Sequence, residues 1–519
     1  MDEMQRGIQR SRRDVLRTGL LLSVTALAAA CAPASAPAAK PAEPAKPAAP
    51  AATTAPAAPA AAAAAAPAKP AEAAKPAEAA KPAAAAPAVK TGGPTGTVIK
   101  ELGRDYLAYP DVKGTIQFSN CWAASRVQLV EDTWIKPFQQ IYPGIKVEND
   151  VGNCPPLLEK QTTQVAAGAP PNVMMIRGGG LSFFADQKKI EPLDDLMTRD
   201  KIDPKWFYET ELKTRMHAGK VYGLPNVTGG ANYMLFYNTG LMEKAGLDPN
   251  KPPKTWQDVD AMVEPAKKAG LLVWDPFKAN ASQTAHQVFT YQNGGRYWDD
   301  EIKKITWNSP AGVEAAEWLL QLVKAQGDKY ENVNIGGVRK DTIQPQEWAA
   351  EKYILNMNGS WTFFLMKTTA PHVQYGATTM PTNAKNPASK LATPADVGWA
   401  FSIPTEAKDK EAAWEWIKFT TTSKMGACKF VTAQNRPSPA IECNDDPELK
   451  GGTPYWGVVE ADLKANVAVP VLPIHPKLAD LFYEMEDAFL YEKMPVKEAL
   501  DKYAADAQKM LDDYHAGKR

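Results

Sequence analysis

The fold is decided by residues 115–176, which read TIQFSNCWAASRVQLVEDTWIKPFQQIYPGIKVENDVGNCPPLLEKQTTQVAAGAPPNVMMI. Apolar spacing divides this stretch into alternating strand-like and helix-like segments. In order they are strand 115–119, helix 126–140, strand 145–151, helix 157–167 and strand 172–176. Strands that are separated by helices pair in parallel through right-handed crossovers. The stretch therefore predicts an α/β fold with a mainly parallel sheet flanked by helices.

The loops that follow these strands form the predicted ligand edge, because ligands bind beyond the carboxyl ends of parallel strands. The rule nominates residues 120–125, 152–154 and 177–180 as lining a cleft. The candidate binding residues in or next to these loops are Asn120, Trp122, Arg177 and Gly178. A guanidinium at Arg177 suits a phosphate or carboxylate, so a phosphorylated or acidic polyol stays open as the ligand. The alternative for Arg177 is a surface ion pair.

Later segments keep the mixed pattern. Predicted strands are 231–237, 271–274, 353–357, 373–378 and 397–403. Predicted helices are 255–269, 310–325, 410–421, 477–491 and 496–513. Pro265 is expected to bend the first of these helices, because proline lacks a backbone donor. Residues 111–519 are too many for one ordinary core, so two lobes are expected.

The cysteines of this body allow disulfides. With Cys31 set aside, four of the five cysteines remain, and four cysteines permit three pairings. Cys121 and Cys154 follow the carboxyl ends of two strands that are expected to be neighbours. Nearest-neighbour pairing is therefore favoured, and it joins Cys428 to Cys443.

Residues 1–31 have the order of parts of an export signal. Arg12 and Arg13 precede the apolar residues 18–30, a run too short to span a membrane comfortably, and small residues then lead to Cys31. The order resembles a bacterial lipoprotein signal with a twin-arginine motif, which implies lipidation of Cys31 and an anchor at the outer face of the cytoplasmic membrane. The alternative is a Sec signal that is cleaved before Cys31, so that Cys31 lies further along the chain than the cleavage site. Both place the function outside the cytoplasm.

Residues 32–96 are nearly all Ala, Pro, Lys and Glu. Recurrent prolines interrupt helices and no large apolar side chain is available to bury, so this segment is expected to be a disordered tether. Such a tether would hold the folded body away from a membrane anchor.

Charge and motifs exclude several function classes. The 59 Lys and Arg balance 59 Asp and Glu, so no overall field favours nucleic acid. The five histidines are scattered outside metal-ligand spacing, and nucleotide-binding and hydrolase signatures are missing, so neither a metal nor another cofactor is expected. A membrane-anchored carbohydrate-active enzyme that uses two cleft carboxylates stays open as the rival interpretation.

Tryptophan is frequent, with 14 residues in the chain. A flat aromatic ring stacks on the apolar face of a sugar while polar neighbours bind the hydroxyls. Trp122, Trp361 and Trp399 fall in loops or at strand ends, which favours ligand contact. The tryptophans on predicted helices are expected in the core, and they are Trp318, Trp414 and Trp416.

A series of short motifs runs in order along residues 111–519. The motifs occupy residues 138–147, 166–173, 220–225, 235–238, 244–247, 252–256, 357–361, 398–404 and 412–419. By these motifs the body resembles the extracellular solute-binding proteins of ABC transporters, in the sugar-binding group that includes maltose-binding protein. The resemblance implies a two-lobe periplasmic-binding-protein type II fold whose chain crosses between the lobes three times.

The resemblance also implies the boundaries and the function. The first lobe would hold 111–224 plus 371–421, and the second 225–370 plus 423–519, with crossovers near Pro225, Ala370 and Thr422. The protein would be a monomer without enzymatic activity that captures a small-molecule ligand, a sugar, by lobe closure. It would deliver this ligand to the transmembrane subunits of an ABC permease. Family positions near the ligand match Asn232, Asn358, Trp361, Trp399 and His475.

Overall fold

The computed structural model describes residues 96–122, 125–152, 157–177, 179–228, 233–274, 285–299, 303–327, 334–335, 338–339, 353–395, 398–448, 450–469, 472 and 474–517. The predicted export signal at 1–31, with Cys31, and the tether up to residue 95 lie outside the described residues. Within the described ranges, no helix combines the length and the apolar character needed to cross a membrane.

The strands of the described chain are β1 Thr97–Ile99, β2 Tyr106–Ala108, β3 Gly114–Asn120, β4 Ile145–Val151, β5 Val173–Arg177, β6 Met216–His217, β7 Lys220–Val221, β8 Leu224–Val227, β9 Met234–Asn238, β10 Leu272–Trp274, β11 Trp298–Asp299, β12 Lys304–Ile305, β13 Asn334–Ile335, β14 Val338–Arg339, β15 Tyr353–Asn358, β16 Tyr375–Thr379, β17 Thr393–Ala395, β18 Trp399–Ser402 and β19 Asn466–Ala468. Where the sequence predicted a strand, the observed strand begins and ends within three residues of the predicted bounds.

The α-helices are α1 Ser125–Val130, α2 Lys136–Ile141, α3 Leu157–Ala166, α4 Gly180–Asp186, α5 Asp194–Arg199, α6 Glu209–Lys213, α7 Thr239–Lys244, α8 Trp256–Ala261, α9 Val263–Lys268, α10 Ala285–Gln292, α11 Pro310–Gln326, α12 Trp361–Thr369, α13 Lys410–Thr422, α14 Lys429–Thr432, α15 Ile441–Asp445, α16 Trp456–Lys464, α17 His475–Leu490 and α18 Val496–His515. Short 3-10 turns at Lys100–Leu102 and Pro204–Trp206 and π-helical turns at Glu131–Ile135 and Lys424–Cys428 complete the set.

The first sheet has the strand order β4-β3-β5-β18-β8. Strand β3 pairs in parallel with β4 and with β5, which confirms the predicted parallel pairing. Strand β18 lies antiparallel between β5 and β8. Because β18 runs the opposite way, its first residue, Trp399, stands opposite the last residue of β5, Arg177. Two residues that are 222 positions apart in the chain thus meet at the predicted ligand edge.

Apolar side chains on this sheet alternate between two cores, as strand geometry requires. Val173 and Met175 lie in one core with Phe118, whereas Met174 and Ile176 lie in another on the opposite face. The tryptophans predicted for the core are buried: Trp414 and Trp416 are 0 % exposed and Trp318 is 7 % exposed. The first sheet is therefore covered on both faces, as in α/β proteins.

The second sheet has the strand order β10-β15-β9-β16. Strand β15 is parallel to β10 and antiparallel to β9, and β16 is antiparallel to β9. Leu235 and Tyr237 face one core, and Met234 and Phe236 face the other. We call the first sheet with its two cores the first lobe, and the second sheet with its two cores the second lobe.

The lobe boundaries differ from the predicted ones in two places. Tyr375–Thr379 was expected in the first lobe, but it pairs with β9 of the second lobe. Cys428 and Cys443 were expected in the second lobe, but both lie in a core of the first. Local sequence patterns identified the strand at 373–378 correctly, but they carry no information about which sheet completes it.

The chain passes between the lobes in three places. It leaves the first lobe between Val227 and Met234, returns between Ala392 and Trp399, and leaves again between Cys443 and Trp456.

A disulfide joins Cys428 to Cys443, with 5.2 Å between the Cα atoms. This is the nearest-neighbour pairing that the sequence favoured. Cys121 is also disulfide-bonded. Its expected partner, Cys154, lies outside the described residues.

Candidate functional site

Two tryptophans form an aromatic wall at the ligand edge of the first sheet. The rings of Trp122 and Trp399 meet edge to face with 6.0 Å between their centroids. Trp122 is only 3 % exposed and also packs against Phe430, at 5.4 Å. Trp399 is partly exposed, and the Arg177 guanidinium lies 5.7 Å from its ring centroid. Trp399 is therefore the more accessible ring of this wall, and Trp122 supports it.

Asn120 is a structural residue of this edge. Its side chain is 0 % exposed. The amide nitrogen donates to the Phe118 carbonyl at 3.0 Å and to Asn149 Oδ1 at 2.7 Å. The amide oxygen accepts the Trp122 backbone N–H at 2.9 Å. Because these bonds use both amide hydrogens and one lone pair of the oxygen, Asn120 fixes the loop that carries Trp122.

Asn358 plays the same part in the second lobe. It is 1 % exposed, its amide nitrogen donates to Asn356 Oδ1, and its oxygen accepts the Gly359 backbone N–H at 2.9 Å. These bonds shape the turn between β15 and α12. The hydrogen bonds of the Asn358 side chain therefore stabilise the turn that precedes Trp361.

Trp361 begins α12 and is partly exposed. A Cβ atom placed on Gly359 would lie 2.1 Å from Trp361 Cζ3, so the indole ring rests directly on the glycine backbone. Only glycine permits this approach. The ring is thereby held at the start of the helix with one part covered and the rest accessible.

Two arginines that the sequence analysis did not single out complete the site. The Arg126 guanidinium lies 5.7 Å from the Trp122 ring and 5.6 Å from the Phe364 ring, and its Nε donates to Gln434 Oε1 at 2.9 Å. The Arg436 guanidinium lies 5.5 Å from the Trp361 ring.

These contacts connect the two lobes. Helix α12, which carries Trp361 and Phe364, packs through Phe363 and Met366 into a core of the second lobe. Arg126 and Arg436 come from segments that pack into the first lobe, next to Phe430 and Val431. A site between the lobes is thus built from an aromatic helix start on one side and two cations on the other.

Burial shapes the electrostatics of these cations. It lowers the pKa of Arg126 to about 10 and the pKa of Arg436 to about 9, and the positive charge of Arg126 contributes to the lowering at Arg436. Both groups stay cationic at neutral pH. Desolvation is the main cause of the lowered pKa at both groups, because burial disfavours the charged form.

One signal in the sequence pointed toward Arg126. The strand-end rule nominated residues 120–125, and Arg126 is the next residue. Arg436 has no such local signal, because it approaches the site only through the packing of α14 and the segment after it. Gly178, Asn232 and the His475 side chain, also proposed for the site, lie outside the described residues.

The described residues include no group of three or more His, Cys, Asp or Glu side chains that could hold a metal ion. The polar chemistry at the candidate site consists of guanidinium, indole and amide groups, which suits recognition of an organic solute.

Two lobes with a site between them define a clamp-type binding protein. The chain belongs to the bacterial extracellular solute-binding protein family, whose match covers residues 124–427. This confirms the resemblance on which the sequence analysis relied.

The fold is similar to that of solved solute-binding proteins. An ABC transporter solute-binding protein from Thermotoga lettingae, bound to alpha-D-tagatose, superposes with a TM-score of 0.66 at 23 % identity, covering 77 % of this chain and 100 % of that chain. The predicted type II periplasmic-binding-protein fold is confirmed.

Two curated relatives extend over most of the body. A binding protein of Brucella abortus (strain 2308), whose name gives no ligand, is 26 % identical over 359 residues, which are 67 % of this chain and 81 % of the relative. The sn-glycerol-3-phosphate-binding periplasmic protein of Agrobacterium fabrum is 23 % identical over 420 residues, 74 % of this chain and 92 % of the relative.

Proposed function

We propose that this protein is an extracytoplasmic receptor that captures a carbohydrate between its lobes and delivers it to an ABC importer. The observation that carries the proposal is the pair of accessible indole rings, Trp399 on the first lobe and Trp361 on the second. Accessible aromatic rings stack on sugar faces, and rings on opposing lobes can hold one ligand from two sides.

Closure follows from this arrangement. A ligand that touches both lobes binds the closed form more tightly than the open form, and it shifts the population by that difference in affinity. The three inter-lobe passages described above are the proposed hinges. The receptor would act as a monomer, and the transmembrane subunits of a permease would recognise its closed form.

The proposed location rests on the sequence outside the described residues. Cys31 would carry a lipid anchor at the outer face of the cytoplasmic membrane, and residues 32–96 would act as the tether. Metabolic labelling with a radioactive fatty acid tests this step. Label on the wild-type protein that disappears in Cys31→Ser supports the anchor, and an unlabelled wild-type protein contradicts it.

The function is tested by isothermal titration calorimetry of the purified protein with monosaccharides, oligosaccharides, polyols and their phosphates. Saturable one-to-one binding of one such class, with ligand recovered unaltered, supports the receptor. Steady conversion of a sugar, abolished by substitution of one Asp or Glu, would instead establish the rival enzyme. The relative bound to tagatose and the family membership both support the receptor.

A further inference from the structure

The geometry points to a built oxyanion site. We infer that Arg126 and Arg436 together bind a phosphate or carboxylate group carried by the captured sugar or polyol. This inference rests on the proposed receptor function and specifies the ligand class. It concerns residues other than Arg177, the cation that the sequence had nominated.

The first observation is that the positive charges of Arg436 and Arg126 have no acidic partner among the described residues. Arg436 is 4 % exposed, and its Nε is buried without a hydrogen-bond partner. Among the described residues, the only hydrogen-bond partner of the Arg126 guanidinium is the neutral amide of Gln434. Neither guanidinium forms an ion pair within the described part of the chain. Arg126 is partly exposed, whereas Arg436 is buried. A buried charge such as that of Arg436 is normally paired, because leaving it unpaired carries a large desolvation cost.

The acidic group that acts electrostatically on Arg436 does not supply the missing charge. Glu211 acts electrostatically on Arg436, but its carboxylate is engaged at 2.8 Å by Arg215, with both side chains fully buried. The interaction of Arg126 with Arg436 is repulsive. An anion between the two would remove this repulsion and provide the hydrogen-bond acceptors that the site lacks.

The second observation is the aromatic surroundings of the guanidinium groups. The Arg126 guanidinium contacts the rings of both Trp122 and Phe364, and the Arg436 guanidinium contacts the ring of Trp361. Within the described residues, Gln434 on Arg126 Nε is the one hydrogen-bond acceptor of these two guanidinium groups. Their other N–H groups can therefore bind the two oxygens of a phosphate or carboxylate. The aromatic contacts thus position the donors without neutralising them.

The third observation is the location between the lobes. Trp361 and Phe364 belong to the second lobe, and the arginines belong to the first. An anionic group held by the arginines would therefore sit beside Trp361, where the sugar ring stacks. One ligand with an apolar ring face and a charged end would contact both the aromatic ring of the second lobe and the arginines of the first lobe.

The test is calorimetry of the full-length protein with glucose, glucose 6-phosphate, glucuronate, glycerol and glycerol 3-phosphate, and with inorganic phosphate alone. We expect an anionic member to bind at least about tenfold more tightly than its neutral parent, with an affinity that falls as sodium chloride is raised. A stronger gain for the phosphates than for glucuronate identifies phosphate as the anion, and the reverse identifies carboxylate.

Substitutions test whether the two arginines cause the tighter binding of anionic ligands. Arg436→Gln and Arg126→Gln should each reduce the anionic advantage about tenfold while changing the affinity for a neutral parent by less than about threefold. Arg436→Lys should retain part of the advantage, because it keeps the charge and loses the paired donors. Arg296→Gln is the matched control, since Arg296 also lies on an aromatic ring, that of Tyr291 at 5.3 Å, but is exposed and outside the site.

The outcomes separate this inference from the receptor function. Equal or tighter binding of the neutral sugars, unchanged in Arg436→Gln and Arg126→Gln, overturns the oxyanion site and leaves the receptor intact. No binding of any sugar, polyol or phosphate overturns the receptor function as well. A further experiment uses only the wild-type protein and so does not depend on the folding of a variant. Inorganic phosphate that competes with the bound ligand at low salt, but not at high salt, supports the site.

Discussion

Trp361 is positioned by the residue two places before it. The indole ring lies on the backbone of Gly359, and the amide of Asn358 holds the turn in which both occur. The ring therefore has little freedom before ligand arrives. A pre-positioned aromatic side chain loses little conformational entropy on binding, which makes it an efficient anchor.

Replacing Trp361 by Ala should lower ligand affinity by about 1–3 kcal/mol, the usual cost of losing an aromatic anchor. Trp361→Phe should recover much of this loss, because it restores a flat ring. Isothermal titration calorimetry measures both, and thermal unfolding controls for folding. An affinity that Trp361→Ala leaves unchanged would show that the stacking assignment is wrong.

Gly359→Ala should reproduce part of the Trp361 defect. The added methyl group would collide with the ring and push it from its place, so we expect a several-fold loss of affinity with a stable fold. Gly457→Ala is the control, because its Cβ would meet no atom within 4 Å and it lies inside α16, where alanine is favoured by about 0.5–1 kcal/mol. Equal affinities of the two variants would argue against the positioning role.

His286 predicts a pH dependence of stability. It is 0 % exposed, contacts the hydroxyl of Tyr297 through Nδ1 and the Gly312 carbonyl through Nε2, and burial lowers its pKa to about 4. The unfolded chain, in which His286 titrates near its usual pKa of about 6.5, then binds more protons between these values. The free energy of unfolding should therefore fall as the pH drops from about 6.5 to 4, by on the order of 3 kcal/mol.

Urea unfolding at several pH values measures this dependence. His286→Gln should show a flatter profile over the same window, since glutamine does not titrate. Parallel profiles for the two proteins would assign the acid sensitivity to other groups.

At the scale of elements, short-range patterns predicted the longer helices and, except for β8, the strands of the two large sheets. The helix predicted at 255–269 is divided into α8 and α9 at Met262. Pro265 explains the break, because it cannot donate to the carbonyl four residues earlier, at Ala261. The start at Thr255 is fixed by reciprocal hydrogen bonds with Asp258. These features are local, so the sequence was sufficient to place them to within a residue or two.

The candidate site was predictable only in part. Trp361 and Trp399 were found because strand ends and aromatic rings are visible in a single sequence. Arg126 and Arg436 were missed because 310 positions separate them, and only the packing of the first lobe brings them together. For Asn120, the strand-end rule gave the position in the fold, whereas the hydrogen bonds of its side chain depend on contacts that a single sequence does not show.

Removing the Cys428–Cys443 disulfide should destabilise the first lobe. Both cysteines lie in its core and close a loop with a sequence separation of 15 residues, for which the chain-entropy model gives about 3 kcal/mol. Thermal unfolding of the double variant Cys428→Ser, Cys443→Ser should show a lower midpoint than the wild type. Reduction of the wild type should give a similar shift, and no shift in either case would show that the core alone holds this segment.

At the scale of the whole molecule, the order of the strands was the part that the sequence left open. Strand β16 completes the second sheet although the chain enters the first sheet again soon after it. Pairing across long sequence distances depends on which sheet edge is vacant, and no local pattern records that. The segments named from local patterns match observed helices and strands, whereas two of the three predicted lobe crossovers were misplaced.

The proposed clamp should change shape when it binds. Small-angle X-ray scattering of the folded body should show a smaller radius of gyration with saturating ligand, because closure brings the lobes together. Trp361→Ala should need more ligand for the same change. A radius that stays constant at full saturation would contradict closure as the capture mechanism.

Arg436 lies inside the loop that the Cys428–Cys443 disulfide closes. Ligand recognition by Arg436 is therefore linked to the compartment in which this disulfide forms. Thiols stay reduced in the cytosol and are oxidised after export. A molecule retained inside the cell would have the loop unclosed and its second cation loosely held. Discrimination among solutes would then be acquired only after secretion, once the receptor has reached the compartment from which it collects its cargo.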